Sequence, residues 1–234
     1  MGFNPGLLDQ FVDWCTNFNI KSGAAMLDIG TSELFCADDP GSLNRFLTHF
    51  GAKPYEGDEL NRMANRAFAA ELFLQAGFSY EAIDITPYPH TMPIDLNSGS
   101  LPFWKRRRYA LVTNCGTTEH VLNQYNAFKL IHDATMVGGI MYHGVPMCGD
   151  FSHGFISYNP HFFFLLAEAN GYEVLRMWGW ASEDVRGPDP TLGMTWNGRP
   201  PLAPDAFVHV LLRRCSKASF RAPSDCVGYP PAKS

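Results

Sequence analysis

The sequence is short of the features that most readily betray a function. Its six cysteines, Cys15, Cys36, Cys115, Cys148, Cys215 and Cys226, are scattered, with no C-x-x-C pair among them. That argues against a disulfide framework or a zinc ribbon and reads as free thiols in a reducing compartment. Surplus positive charge is missing too: the net charge is −5 and the isoelectric point about 5.9, so no global field favours nucleic acid or anionic lipid. The run Lys105 to Arg108 is the local exception, and four cations ahead of an apolar segment read as a solvated strand entrance. No stretch offers the roughly 18 uninterrupted apolar residues of a membrane span. The opening MGFNPGLLDQFVDW lacks the basic start and apolar core of a signal peptide, and Gly6 stands where a myristoylation signal needs Ser or Thr. Internal repeats and low-complexity blocks are absent. The expectation is a soluble cytoplasmic protein with neither nucleic-acid nor membrane partners.

What is present is an ordinary globular composition, 46% hydrophobic and 18% charged in 234 residues, enough for one sizeable core. Ala24 to Phe35, AAMLDIGTSELF, is an apolar run that reaches Asp28 and then Gly30. A buried strand entering a glycine turn is how doubly wound α/β proteins present backbone N–H groups at a strand's carboxyl end. Ahead of it, Leu7, Leu8, Phe11, Val12, Trp14 and Cys15 recur at helical spacing over 5–18. Behind it, helices are expected over 41–50, with Ser42 as N-cap, and over 58–77, where Leu60, Met63, Ala64, Ala67, Phe68, Leu72 and Phe73 mark one face.

Further strands are expected at 80–85, 92–96, 109–113 and 140–145, with a helix over about 118–134 between the last two. Strand and helix alternating in this way predict a parallel sheet with right-handed crossovers. Residues 160–170 read as an apolar helix with Pro160 in its first turn and Gly171 as its C-cap. Strands at 172–180 and 206–213, with no helix between, predict an antiparallel hairpin at one end of the sheet. The domain is expected to span 1–215, with a poorly ordered tail over 216–234.

In such a sheet ligands bind outside the carboxyl ends of the strands. Those ends carry Gly30, Asp84, Asp95, Asn114 with Cys115, and His143. Two carboxylates at the second and third strand ends suit ribose hydroxyls and the exocyclic amine of an adenine, both of which donate hydrogen bonds. The fuller G-x-G-x-x-G of nicotinamide enzymes is lacking.

The segments AAMLDIGTSELF, YEAIDI, PIDLN, YALVTNCGTTEHV and VGGIMYHGVP, in this order, resemble the class I S-adenosylmethionine-dependent methyltransferases over roughly Leu7 to Arg214. LVTNCGTTEHV is the most specific piece, similar to the fourth-strand motif of that family's small-molecule members. The resemblance implies a Rossmann-like, doubly wound, mostly parallel seven-stranded sheet closed by a reversed hairpin. It implies S-adenosyl-L-methionine as cofactor and methyl transfer to an oxygen or nitrogen of a small molecule. Gly30, Thr31 and Ser32 would line the methionine part, Asp84 with Ile85 would hold the ribose, Asp95 with Leu96 would flank the adenine, and Asn114 with Cys115 would floor the site near the sulfonium.

The glycine motif is degenerate: Ser32 stands where the family has its second glycine. The 56 residues from Asp28 to Asp84 also exceed the usual spacing of about 20. An added helix between the first two strands accounts for that, as a substrate-pocket wall or a homodimer contact. The alternative function is a noncatalytic binding or interaction module on the same fold.

For removal of a proton the candidates are His153, in a loop with Asp150, Tyr158 and Asn159, and His120, either as a base or as a pocket wall. His143 reads as a strand residue packed under the loop. His143, Asp150 and His153 match no compact ligand spacing, so no metal is expected. Cys115 and Cys148 read as structural thiols, since transfer from a sulfonium needs no covalent intermediate.

Overall fold

The computed structural model describes residues 2–149, 153–181 and 206–225. In chain order the elements are β1 (Gly2–Phe3), α1 (Pro5–Asn17), β2 (Ala25–Ile29), β3 (Glu33–Phe35), α2 (Gly41–His49), α3 (Gly57–Ala64), β4 (Asn65–Phe68), α4 (Ala69–Gln75), β5 (Ser79–Asp84), β6 (Thr91–Pro93), β7 (Tyr109–Cys115), α5 (Gln124–Ala134), β8 (Thr135–Cys148), α6 (Pro160–Asn170), β9 (Tyr172–Ala181) and β10 (Ala206–Arg214). Seven strands form one sheet in the order β6-β5-β2-β7-β8-β10-β9. β2, β5, β6, β7 and β8 run parallel, and β10 runs antiparallel between β8 and β9. The expected α/β class and reversed C-terminal hairpin are both observed. From β2 the chain moves outward to β5 and β6, then returns to place β7 on the other side. The switch point therefore falls between β2 and β7, where ligands of open α/β sheets bind.

The helices on one face follow from simple capping. Asn4 caps α1, its Oδ1 accepting from Leu7 N at 2.8 Å, and Pro5 needs no partner in the first turn. The apolar stripe of α1 then faces inward, and Phe11 meets Phe46 of α2 and Phe73 of α4 at ring centroid distances of 5.7 and 5.0 Å. On the other face α5 and α6 pack Phe128 against Phe163, both buried over β7 and β8. Gly171 ends α6 at φ +61°, a left-handed C-cap that glycine reaches without a Cβ penalty.

Three expectations are corrected. The long helix over 58–77 is two short helices separated by β4, which pairs with β3, while β1 pairs with β3 from the other side. The chain turns out of α3 with Arg66 at φ +61°, and Arg66 Nη2 meets Glu33 Oε2 at 2.7 Å. Met63, Ala64, Ala67 and Phe68 keep a helix-like apolar spacing across the break, which explains the reading. The helix expected from Thr118 begins only at Gln124, because Asn123 caps it through Asn126 N at 3.1 Å. Thr118 to His120 instead form one tight 3₁₀ turn. Ser42 is not the N-cap of α2: Pro40 holds that position, and the Ser42 hydroxyl donates to Asp39 O at 2.7 Å.

The segment after β10, expected to be loose, is described as far as Asp225. Phe220 is buried against Tyr125 and His132, and the backbone of Arg221 exchanges two hydrogen bonds with the Asn170 side chain, at 2.8 and 2.9 Å. Residues 226–234, Asp150 and most of the expected connection from 181 to 204 lie outside the described residues. Among the described residues no helix is long and apolar enough to cross a membrane.

Candidate functional site

The turn after β2 is built around one buried carboxylate. Asp28 is fully inaccessible and accepts from Thr113 Oγ1 at 2.7 Å, Tyr80 Oη at 3.0 Å and Ser32 N at 3.3 Å. Burial pushes its pKa up to about 6, against the lowering effect of those hydrogen bonds. Gly30 sits at φ +85°, and a Cβ there would lie 2.2 Å from Thr117 Oγ1. Only glycine lets the loop after β7 close onto the turn. Thr31 N donates to Asp84 Oδ2 at 3.0 Å, and Thr31 Oγ1 lies 3.1 Å from Thr91 Oγ1, so the turn after β2 is tied to the end of β5 and to the start of β6. Ser32 is buried.

Asp84, closing β5, also accepts from Thr86 N at 3.0 Å through its other oxygen. Each oxygen thus has one backbone donor and a lone pair to spare. The next residue, Ile85, is 74% exposed, an apolar side chain held out at the strand end. Asp95 is exposed and accepts from Asn97 N at 2.8 Å and Ser98 Oγ at 3.1 Å, with its pKa lowered chiefly by the Asn97 backbone bond. Leu96 beside it is buried.

Asn114 is fully buried and serves the protein from both ends of its side chain. Oδ1 accepts from Thr117 N and Thr118 N, each at 3.2 Å, and Nδ2 reaches Thr118 Oγ1 at 2.8 Å and His143 Nδ1 at 3.2 Å. Because Nδ2 can only donate, His143 Nδ1 accepts and the proton sits on Nε2. Burial between Phe128 and Phe163 brings the His143 pKa down to about 3. His143 is the packed strand residue expected. Cys115 is buried as well, and burial pushes its thiol pKa well up, against nucleophilic use.

His120 and His153 are 33 residues apart in sequence, and their Nε2 atoms lie 3.1 Å apart. The carboxylate of Glu119, 0% exposed, lies beneath them, with Oε1 3.7 Å from His153 Nε2 and 4.0 Å from His120 Nε2. The His120 pKa is lowered by burial and then by the neighbouring His153. Glu119 O accepts from Phe155 N at 2.7 Å and Ile156 N at 3.2 Å, which fastens the His153 loop to the end of β7. The Tyr158 hydroxyl, 2.9 Å from Thr118 Oγ1 and 2.6 Å from Gln124 Oε1, fixes the same turn from below.

Two groups emerge from the candidates. Gly30, Thr31 and Ser32 form one turn, bonded to Asp84 through Thr31 N, and His120 with His153 form a second group, both at the carboxyl ends of the strands. Asn114 braces the turn that leads into the second group, Cys115 lies beside Asp28 and Ser32 under the first, and Asp95 with Leu96 forms its own turn after β6. Glu119, Thr117 and Asp28 were not singled out as site residues from sequence. A Glu-His pair just past a strand-ending Gly116-Thr117-Thr118 was the available signal. A cleft of about 580 Å³ lies at the opposite, amino-terminal edge of the sheet, lined by Tyr80, Glu81, Trp104, Lys105, Arg108 and Tyr109 among others.

No family model matches the chain, and no curated protein matches it. Solved structures do. The Burkholderia thailandensis 1,6-didemethyltoxoflavin-N1-methyltransferase, solved with 1,6-didemethyltoxoflavin and S-adenosylhomocysteine, aligns at 11% identity with a TM-score of 0.51, over 89% of this chain and 78% of that one. Coclaurine N-methyltransferase, bound to N-methylheliamine and S-adenosylhomocysteine, aligns at 11% identity and a TM-score of 0.45, over 88% and 72%. A SAM-dependent methyltransferase from Aquifex aeolicus aligns at 11% identity and 0.42, over 90% and 99%. The fold is that of the class I S-adenosylmethionine-dependent methyltransferases.

Proposed function

We propose that a chain with this fold and these strand ends is an S-adenosylmethionine-dependent methyltransferase acting on an oxygen or nitrogen of a small molecule. The observation that carries the reading is Asp84. Its carboxylate is oriented by Thr31 N and Thr86 N, each at 3.0 Å, and keeps a free lone pair on each oxygen for the two hydroxyls of a ribose. The residues present fit the cofactor: the Gly30 turn is formed at positive φ beside that carboxylate, and Ile85 offers exposed apolar surface for the nucleoside. S-adenosylmethionine supplies a methyl group made electrophilic by its sulfonium. The chain's part is to position an acceptor atom and take its proton, and His153 against His120 is the pair suited to both. Relatedness in fold to an enzyme solved with S-adenosylhomocysteine and a small heterocycle supports the choice of cofactor and substrate class.

One observation favours a second reading. Gly30 N donates to Ile83 O at 2.7 Å, Thr31 N to Asp84 and Ser32 N to Asp28, so the turn's three N–H groups are used within the protein. A turn satisfied in this way suits a noncatalytic interaction module as well. Calorimetry with S-adenosylmethionine, S-adenosylhomocysteine and NAD separates the readings. The enzyme reading expects binding of the first two only, weakened at least about tenfold, roughly 1.4 kcal/mol, by Asp84→Ala. His153→Ala should bind with unchanged affinity and slow the transfer of labelled methyl to a panel of small alcohols and amines. No heat with either cofactor form would leave the interaction module as the better account.

A further inference from the structure

The geometry points to a divalent transition-metal site at Glu119, His120 and His153, where sequence spacing gave no reason to expect one. The three ligand atoms are separated by 3.1, 3.7 and 4.0 Å, and three points so spaced lie on a circle of about 2.1 Å radius. A single ion at the centre would sit at the distance zinc keeps from imidazole nitrogen and carboxylate oxygen. Two imidazole nitrogens and one carboxylate oxygen, all of metal-ligand type, thus face one point.

The donor set and its access define the class. Two imidazoles and one carboxylate suit zinc, iron(II), cobalt(II) or manganese(II). The Glu119 side chain is fully buried, whereas those of His120 and His153 are 46% and 35% exposed. An ion there would be gripped from the protein side and left open toward solvent, as in catalytic rather than structural sites. The supporting backbone is specific as well. Gly154 takes φ +73°, and a Cβ on it would lie 2.9 Å from Glu119 Cγ, so glycine is what lets the His153 loop press onto the carboxylate.

The role of the ion rests on the proposed methyl transfer, although its binding does not. A metal at this point would receive the acceptor atom and lower its pKa, so that its proton leaves to water. The acceptor lone pair then forms the bond to the methyl carbon as the carbon–sulfur bond breaks, the electron pair staying on sulfur. The imidazoles become ligands instead of a base.

The test uses metal alone. Chelator-treated full-length protein is titrated with Co²⁺, followed by its visible d–d absorption, and with Zn²⁺ by calorimetry, both without cofactor. One ion per chain is expected, with affinity reduced at least about tenfold in His120→Ala and in His153→Ala. Gly154→Ala should also weaken binding, while His161→Ala, an exposed histidine outside the cluster, should leave it unchanged. Circular dichroism confirms that each variant is folded. No saturable binding, or cluster variants that bind as tightly as the parent, would overturn the site. If metal binds and S-adenosylmethionine does not, the metal site stands and the methyltransferase reading falls. If the cofactor binds and metal does not, His153 remains the base.

Discussion

Gly30→Ala tests how the turn after β2 is locked to the loop after β7. An alanine at φ +85° carries the left-handed penalty of about 1–2 kcal/mol. Its Cβ would also stand 2.2 Å from Thr117 Oγ1, 3.1 Å from Thr117 Cγ2 and 3.2 Å from Thr117 Cβ, an overpacking worth about 1–3 kcal/mol. The single substitution should therefore destabilise the protein by about 2–5 kcal/mol. Thr117→Ala removes the hydroxyl and methyl responsible for the two closest approaches and leaves the contact at 3.2 Å. In the double variant the steric part should be recovered, leaving about 1–2 kcal/mol of backbone cost. Urea unfolding of the four proteins, with equal m-values as the condition for comparison, reads the coupling directly. Additive single effects, or a Gly30→Ala variant within about 0.5 kcal/mol of the parent, would refute the interlock.

Further predictions concern the buried polar groups. The folded-state pKa of Asp28 is raised to about 6, above the unfolded value of about 3.9. The folded protein thus binds this proton more readily, and stability should rise as pH falls from about 6 toward 4, by up to about 3 kcal/mol. That component should vanish in Asp28→Asn, and a parent whose stability only falls over this range, by no less than the variant's, would contradict the raised pKa. Asn114→Ala leaves Thr117 N, Thr118 N and His143 without their partner and should cost about 2–4 kcal/mol in urea unfolding. A loss under about 1 kcal/mol would mean the loop is held otherwise. Arg214 is fully buried and donates to the carbonyls of His132, Thr135, Ser216 and Ala218. Arg214→Met should cost about 3 kcal/mol or more and release the segment around Phe220, which faster hydrogen exchange there would report.

The fold was legible because several sheet strands combine an apolar run with a turn-forming or polar residue at the carboxyl end: Gly30 follows β2, Asp84 closes β5 and Asn114-Cys115 close β7, whereas β8 runs on through Pro146 to Cys148. β1, β3 and β4 were not legible. Strands of two to four residues hold too little pattern, and Ala67-Phe68 continues the apolar period of α3 across a break made by a backbone angle at Arg66. In the candidate site, Asp84, the acid proposed to hold the ribose, was visible in the sequence by its place at a strand end. The companionship of His120 and His153 was not, since it depends on a loop returning over β7 and on Gly154 fitting against Glu119. Glu119 falls in the first turn of the helix expected from 118, whereas the helix starts at Gln124 and the residue is fully buried.

The central claim is that the carboxyl ends of β2, β5 and β6 hold an S-adenosyl nucleoside. The most direct measurement is a crystal structure of the protein soaked with S-adenosylhomocysteine. The account predicts ribose hydroxyls within about 3 Å of the Asp84 carboxylate, the purine between Ile85 and Leu96, and the sulfur turned toward His120 and His153. Density for the ligand in the amino-terminal cleft beside Trp104, Lys105 and Arg108, with none at Asp84, would contradict it.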